Sequence, residues 1–186
     1  YAISQIRFRG RNTAFYSNLL TRVITDIALS VPLFLLMGQF GMLNSKSGLI
    51  CTYLVITVPF TTFILMSYFD SLPRELYKAA RIDGCTHLRV LWHVFLPLSM
   101  PAVVASLMFA LLTSWNEFLF ALLLTRDIAS QTLPIVISGF ILDFTVNFSF
   151  VNAAGVMAIV PPVIVAVLFE RYIVSGLTAG AVKGLP

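Results

Sequence analysis

The side chains able to do acid–base, nucleophilic or metal chemistry are few and scattered. His87 and His93 stand six residues apart. A metal pair on one helix face needs i, i+3 or i, i+4 spacing, so both read as ordinary interfacial histidines. Cys51 and Cys85 belong to no Cys/His metal pattern, and the topology derived below sets them near opposite faces of a bilayer, which disfavours a disulfide. No Ser/His/Asp or Cys/His constellation has a plausible context, and no G-x-x-x-x-G-K-[ST] phosphate loop occurs. These residues assign no catalysis to the chain. What remains is polar chemistry in unusual settings. Asp26 and Glu117 interrupt long apolar stretches, Glu117 directly after Trp115 and Asn116, and a basic segment rich in small residues runs through Lys78-Ala79-Ala80.

The composition explains why so few polar groups are available. Of 186 residues, 59% are hydrophobic and 11% charged, with a mean hydropathy of +0.93. Soluble domains carry about a quarter charged residues, so this chain cannot cover a water-exposed globule. The same figures exclude a disordered chain. A net charge of +4 arises from small clusters between apolar segments rather than from one basic face, which argues against a nucleic-acid binder. The chain reads as a polytopic membrane protein. It opens with Tyr1 and a basic stretch (Arg7, Arg9, Arg11), with no initiating Met and no early apolar h-region, so the natural protein is expected to begin further upstream.

Crossing about 30 Å of hydrocarbon takes roughly 20 apolar residues. Four stretches reach that length: 23–43, marred by Asp26; 47–69, without charge; 100–125, with Glu117 alone; and 148–169, without charge. The apolar runs are continuous and lack strand-type alternation, so a β-barrel fits poorly. Grouping Lys and Arg by connecting segment gives four before the first span (Arg7, Arg9, Arg11, Arg22), one after it (Lys46), four in the middle loop (Arg74, Lys78, Arg81, Arg89), one next (Arg126) and two in the tail (Arg171, Lys183). The positive-inside rule then sets both termini and the middle loop in the cytoplasm. The outer segment 126–147 holds a short apolar stretch, 132–142, that reads as a re-entrant or surface helix. Pro32, Pro59 and Pro161-Pro162 predict kinks, and Trp92, Tyr68, Phe69 and Tyr172 fit an aromatic belt at the span ends.

The middle loop, 70–97, carries the strongest signal. Pro73 suits a helix's first turn, and residues 75–83 read as a short helix stopped by Gly84. Ala79 and Ala80 leave a low-relief face on which another protein can approach closely. Thr86 can cap a second helix, in which Leu88, Leu91, Trp92, Phe95 and Leu96 form one apolar stripe. Pro97 and Pro101 end it.

Here the chain resembles the permease subunits of ATP-binding-cassette importers. Their cytoplasmic signature is E-A-A, three residues, G, nine residues, I-x-L-P. This chain has Lys78-Ala79-Ala80, three residues, Gly84, nine residues, then Val94-Phe95-Leu96-Pro97, departing at Lys78 and Val94 with the spacing intact. Pro73-Arg74-Glu75-Leu76, Ile82-Asp83-Gly84, Ser114 to Leu119 and the tail Gly176 to Gly184 are similar to the carbohydrate-uptake branch, of the maltose-permease type. The resemblance covers essentially the whole chain and implies an all-α, polytopic membrane helical bundle of the ABC importer transmembrane-domain type. Residues 1–186 would form a single permease domain with four spans visible plus a cytoplasmic coupling helix, lacking the N-terminal spans of a six-span subunit.

The resemblance implies a bacterial cytoplasmic (inner) membrane location, multi-pass, and transport of a sugar or oligosaccharide. The implied partners are an ATP-binding-cassette ATPase dimer, a second permease subunit and an extracytoplasmic solute-binding protein. ATP and Mg would be bound by the ATPase, leaving no cofactor on this chain. Glu75, Lys78, Ala79, Ala80, Arg81, Ile82, Asp83, Gly84, Leu96 and Pro97 would form the ATPase-coupling surface, with Lys78 altering one electrostatic contact of the docking.

Two polar sites inside the spans carry competing readings. Asp26 can pair with Arg22 at i−4 or reach interfacial water. Trp115, Asn116 and Glu117 either line a translocation path, hydrogen-bonding and stacking on a sugar, or tie helices together. Other readings of the whole chain are an importer of the same architecture for a non-sugar solute such as a glycerol phosphoester or an oligopeptide, a non-transporting membrane scaffold subunit, and a secondary transporter, which usually shows inverted repeats.

Overall fold

A computed structural model describes the backbone of residues 1–6, 8–142 and 148–181, and the side chains within that range except 141–142 and 171–181. Helices account for all the regular structure among the described residues: α1 (Ala2–Gln5), α2 (Arg11–Leu20), α3 (Asp26–Gln39), α4 (Lys46–Ser71), α5 (Arg74–Ile82), α6 (His87–Leu98), α7 (Met100–Trp115), α8 (Leu119–Leu124), α9 (Leu133–Leu142) and α10 (Phe148–Ala181). The all-α fold expected from the apolar runs is the one observed. The chain divides into two compact units. One comprises Tyr1–Thr21, Val58–Ala110 and Leu168–Pro186, the other Arg22–Thr57 and Leu111–Val167.

Among the described residues two helices are long and apolar enough to cross a membrane, Lys46–Ser71 and Phe148–Glu170, and α6 with α7 forms one apolar pair bent by 81° that would make a third span if counted as one. At 1.5 Å per residue, the 26 residues of α4 extend about 39 Å. The other two expected spans are interrupted. In place of 23–43 stands the 14-residue α3, about 21 Å long. It begins late because Thr25 is extended, and Arg22 and Asp26 pair across this boundary at 3.6 Å. It ends early in a Schellman motif. Gly41 takes φ +64°, its N–H donates to the Gly38 carbonyl (3.1 Å), and Met42 N–H reaches back to the Met37 carbonyl (2.9 Å). The expected span 100–125 breaks at residues 116–118, between α7 and α8. The short helix foreseen over 132–142 is α9.

In the second unit, Met37, Leu49, Ile56, Phe120, Ala121, Leu124 and Ile135 make the core. Its loops are clamped by Asn44, a residue with φ +56°. The Asn44 side-chain oxygen accepts from the backbone N–H groups of Arg126 and Asp127 (both 2.8 Å), its amide donates to the Asp127 carboxylate, and its own N–H donates to the Leu124 carbonyl at 2.7 Å. Asn tolerates the left-handed region because its short polar side chain bonds locally. Ser45 then caps α4, its hydroxyl accepting from Gly48 N–H at 3.1 Å.

Gly48 lies so close to the loop that an added Cβ would stand 2.1 Å from the Met42 carbonyl oxygen, whereas at helical Gly155 it would meet nothing within 4 Å. Gly48→Ala is therefore expected to destabilise the chain by about 1–3 kcal/mol through overpacking. Gly155→Ala should stabilise it by about 0.5–1 kcal/mol through reduced chain entropy. Thermal unfolding in detergent, followed by tryptophan fluorescence, checks both signs.

Candidate functional site

The first unit contains the segment with the signature spacing. Pro73 has extended backbone (φ −57°, ψ 129°) and lacks the N–H that a helix start leaves without a partner, so α5 begins directly after it. The helix ends in a second Schellman motif. Gly84 takes φ +80°, its N–H donates to the Arg81 carbonyl (3.2 Å), and Cys85 N–H donates to the Ala80 carbonyl (3.0 Å). A side chain at 84 would be strained in this left-handed conformation, which is why glycine serves here. The Arg81 guanidinium donates to the Cys85 carbonyl at 2.7 Å and stiffens the same turn. Thr86 starts α6, its hydroxyl accepting from Arg89 N–H at 3.4 Å.

The two short helices form one folded piece. Ala80, Val90, Phe95 and Phe69 are buried together, with Tyr77, Leu91 and Val94 packed around them. Phe69 and Phe95 meet edge to face at 5.8 Å, and Tyr1 meets Phe95 at 5.4 Å. Burial pushes the Tyr1 phenol above its ordinary pKa, with Tyr77 adding to the shift and the Arg81 guanidinium opposing it. On the outer side, the Tyr77 hydroxyl and His87 Nδ1 are 2.8 Å apart, with the rings stacked at 6.0 Å. This bond ties α5 to α6. The i, i+10 spacing gave no cue to it.

The expected surface needs two corrections. Ala79 is exposed, but Ala80 is only 8% exposed and faces Phe69 and Phe95 rather than a partner. Its small side chain lets α5 lie close to its own support. The apolar stripe of the second helix is split: Phe95 is fully buried, whereas Leu88 and Trp92 are 69% and 63% exposed. The cause is a π-helical turn over Leu91–Phe95. Its i→i+5 pattern turns Val90 and Phe95, five apart and both fully buried, to one side. Pro97 has no N–H for an α-helical bond to the His93 carbonyl, and the wider turn accommodates its ring. Phe69, expected in an aromatic belt, is 4% exposed and belongs to the core. The Tyr172 side chain and residues 182–184 of the tail motif lie outside the described residues.

Elsewhere in the segment, Glu75, Lys78, Arg81, Ile82, Asp83, Gly84 and Pro97 are exposed, and Leu96 is half-buried. Ile82 is 86% exposed, an unusual setting for a large apolar side chain, and with Leu88 and Trp92 it gives α5 and α6 uncovered apolar groups. At Ser99, fully buried with φ −98° and ψ 13°, α6 turns by 81° into α7.

In the second unit, the break after α7 is satisfied locally. Asn116 N–H and its side-chain amide both donate to the Leu112 carbonyl (3.1 and 2.9 Å), closing α7. The Glu117 carboxylate accepts from the N–H groups of Phe120 and Ala121 (2.8 and 3.1 Å), capping α8 where the helix dipole favours a negative charge. Trp115 Nε1 donates to the Ala158 carbonyl on α10 at 3.0 Å. The Tyr53 phenol lies beside the Glu117 carboxylate, and Tyr53, Thr57, Ser114 and Glu117 line one small cleft. Each residue of the Trp115-Asn116-Glu117 triplet thus has a hydrogen bond within the chain, and Asn116 is exposed.

Together, the long apolar helices and the helical fold define a polytopic, membrane-embedded class of protein. Residues 9–178 match the family described as binding-protein-dependent transport system inner membrane component, and the chain belongs to that family. It is 40% identical over 185 residues to the trehalose/maltose transport system permease protein MalG of Thermococcus litoralis, covering 99% of this chain and 66% of that protein. It is 39% identical to the sulfoquinovosyl glycerol transport system permease protein SmoH of Agrobacterium fabrum, and 38% identical to the arabinooligosaccharides transport system permease protein AraQ of Halalkalibacterium halodurans. Each of these matches covers 99% of this chain and 65% of the relative. A solved bacterial ABC transporter involved in import of the acidic polysaccharide alginate superposes with a TM-score of 0.78 at 28% identity, covering 93% of this chain and 65% of that one. The chain thus spans about two thirds of the length of the curated relatives it matches.

Because Ala80 faces its own core, Ala80→Glu is expected to lose about 2 kcal/mol or more from burial of an unpaired polar group. Ala79→Glu, one residue away on the exposed side, should stay within about 0.5 kcal/mol of the parent. Thermal melting of the two purified variants checks the difference.

Proposed function

We propose that this chain is the translocating part of a permease subunit in an ATP-driven importer that carries a sugar or oligosaccharide across the cytoplasmic membrane. It has no catalytic residue of its own. A dimeric ATP-binding-cassette ATPase binds and hydrolyses ATP with Mg, a second permease subunit completes the path, and an extracytoplasmic binding protein delivers the solute. Both visible termini and the loop 70–97 lie on the cytoplasmic side, as the Lys/Arg distribution predicts. Residues 1–186 act as one permease domain.

The observation that carries this reading is the full signature spacing from Lys78 to Pro97 coinciding with uncovered apolar side chains at Ile82, Leu88 and Trp92. An apolar patch on a short, well-braced helix pair supports docking into a groove. Because α5 and α6 share one core, force applied at that patch reaches the corner at Ser99 and then α7. ATP acts by favouring one arrangement of the spans through differential contact with the partner.

The sugar class follows the relatives, which include maltose/trehalose and arabinooligosaccharide systems. The Agrobacterium relative's sulfoquinovosyl glycerol keeps a wider solute class as the second reading, alongside a glycerol phosphoester. A place on the translocation path for Trp115, Asn116 and Glu117 is supported by the helix break itself. Non-helical backbone at membrane depth is tolerated only where it is buried in protein or lines a watery cavity, and Asn116 is exposed there.

Ile82→Glu and Trp92→Glu replace exposed side chains, so the subunit should insert normally while the ATPase fails to co-purify and uptake falls about tenfold or more, the loss of one central apolar anchor. Retained ATPase binding and uptake in both variants would refute the docking surface. Full activity in cells lacking the ATPase gene would favour the scaffold reading.

A further inference from the structure

The first unit contains a cavity of about 510 Å³ between the N-terminal helices and α5. Among the described residues its lining holds three cationic side chains, Arg11, Arg74 and Lys78, with Ser4, Gln5, Ile6 and Tyr77 and no carboxylate. None of the three cations makes an ion pair among the described residues. Arg11 Nε is buried without a hydrogen-bond partner.

Arg74 and Lys78 are four residues apart on one face of α5, so their charges repel along the helix. Arg74 also occupies the first turn, where the helix dipole disfavours a cation. The nearby Asp70 does not relieve this, since its carboxylate accepts the Ser4 hydroxyl at 2.6 Å and is not part of the lining. Gln5 is likewise committed, donating to Ser4 Oγ (2.9 Å) and to the Phe69 carbonyl (3.1 Å). Tyr77 is engaged with His87. The polar residues around the cavity are therefore held by other bonds, while the three cations line it without an ion-pair partner among the described residues.

A concave site lined by one sign of charge concentrates counter-ions, and guanidinium groups match the oxygens of a phosphate in paired hydrogen bonds. The volume lies within the range of small-ligand pockets and exceeds what a bare phosphate ion needs.

We propose that this cavity binds a phosphate group, with Arg11, Arg74 and Lys78 as its ligands. The phosphate belongs to either an anionic lipid headgroup or a soluble phosphate. Lys78 stands where the family signature has Glu, so this departure replaces a carboxylate beside Arg11 and Arg74 with a third cation. Bound anion would brace the root of α5 against the N-terminal helices. The site shares Lys78 with the signature segment, but Arg11 and Arg74 lie outside the Ile82, Leu88 and Trp92 surface, so anion binding and ATPase docking are separately measurable.

The test uses the assembled transporter, purified in phosphate-free buffer and reconstituted in nanodiscs. One arm titrates inorganic phosphate by calorimetry. The other measures retention of phosphatidylglycerol over phosphatidylcholine by native mass spectrometry. Binding in either arm is expected, and the arm in which it occurs identifies the source. Arg74→Gln with Lys78→Gln should weaken it by about tenfold or more, the loss of charge-assisted hydrogen bonds. Lys78→Glu should abolish it. Arg89→Gln, an exposed cation outside the cavity, should change it less than about twofold. Unchanged melting of Arg74→Gln/Lys78→Gln without ligand verifies the fold. No binding in either arm, or equal binding by the parent and the Arg74→Gln/Lys78→Gln protein, would overturn the proposal. Because both readouts are anion binding, they stay informative if the Ile82 and Trp92 variants keep their ATPase.

Discussion

Packing of Phe95 beneath Ala80 is the constraint on which the loop segment depends. Neither α5, with nine residues, nor α6, with twelve, is long enough to be a stable helix in water alone. Their order comes from the buried group of Phe69, Ala80, Val90 and Phe95, and Phe69 fastens that group to the end of the long helix α4. A larger residue at 80 would lift α5 off the aromatic pair. A regular α-helical turn at 91–95 would swing either Val90 or Phe95 outward. The small residue, the π turn and the positive-φ glycine are three parts of one solution, in which two amphipathic helices form a braced unit whose outer surface keeps uncovered apolar side chains.

The same economy governs the interrupted apolar runs. A continuous helix from 100 to 125 would leave Glu117 as an isolated charge amid apolar residues, a costly arrangement. Breaking the helix gives the carboxylate two backbone N–H donors and gives α8 its cap. Beyond α8, the Asn44 side-chain oxygen satisfies the N–H groups of Arg126 and Asp127 in a similar way, and its backbone carbonyl accepts the Ser130 hydroxyl. Helix ends near or within a membrane are expensive, and this chain closes them with its few polar side chains.

Much of this was legible in sequence because long apolar runs, the Gly84 stop and the Arg22–Asp26 spacing are local signals. The helical class, the short helix at 133–142, the ion pair and the cap at Thr86 follow from them directly. The features that were not legible depend on partners distant in sequence or on departures from the α-helical period. A 3.6-residue stripe cannot show that residues 91–95 wind as a π turn, and it sets Leu88, Trp92 and Phe95 on one face. Ala79 and Ala80 are chemically identical, and only Phe69, Val90 and Phe95, each ten or more residues from Ala80, decide which of them is covered. Counting apolar residues also overstated α3, because the Thr25 start and the Gly41 stop shorten a run that hydropathy alone treats as continuous.

The central claim is that the outer surface of the 74–98 segment meets the cytoplasmic ATPase. Its most direct test is a photo-activated cross-linker placed at Leu88 in the transporter assembled in native membranes. The account predicts a covalent product with the ATPase subunit, formed in higher yield than from a cross-linker placed at Val136 on α9. Adducts from Leu88 restricted to lipid or to an extracytoplasmic protein would contradict it.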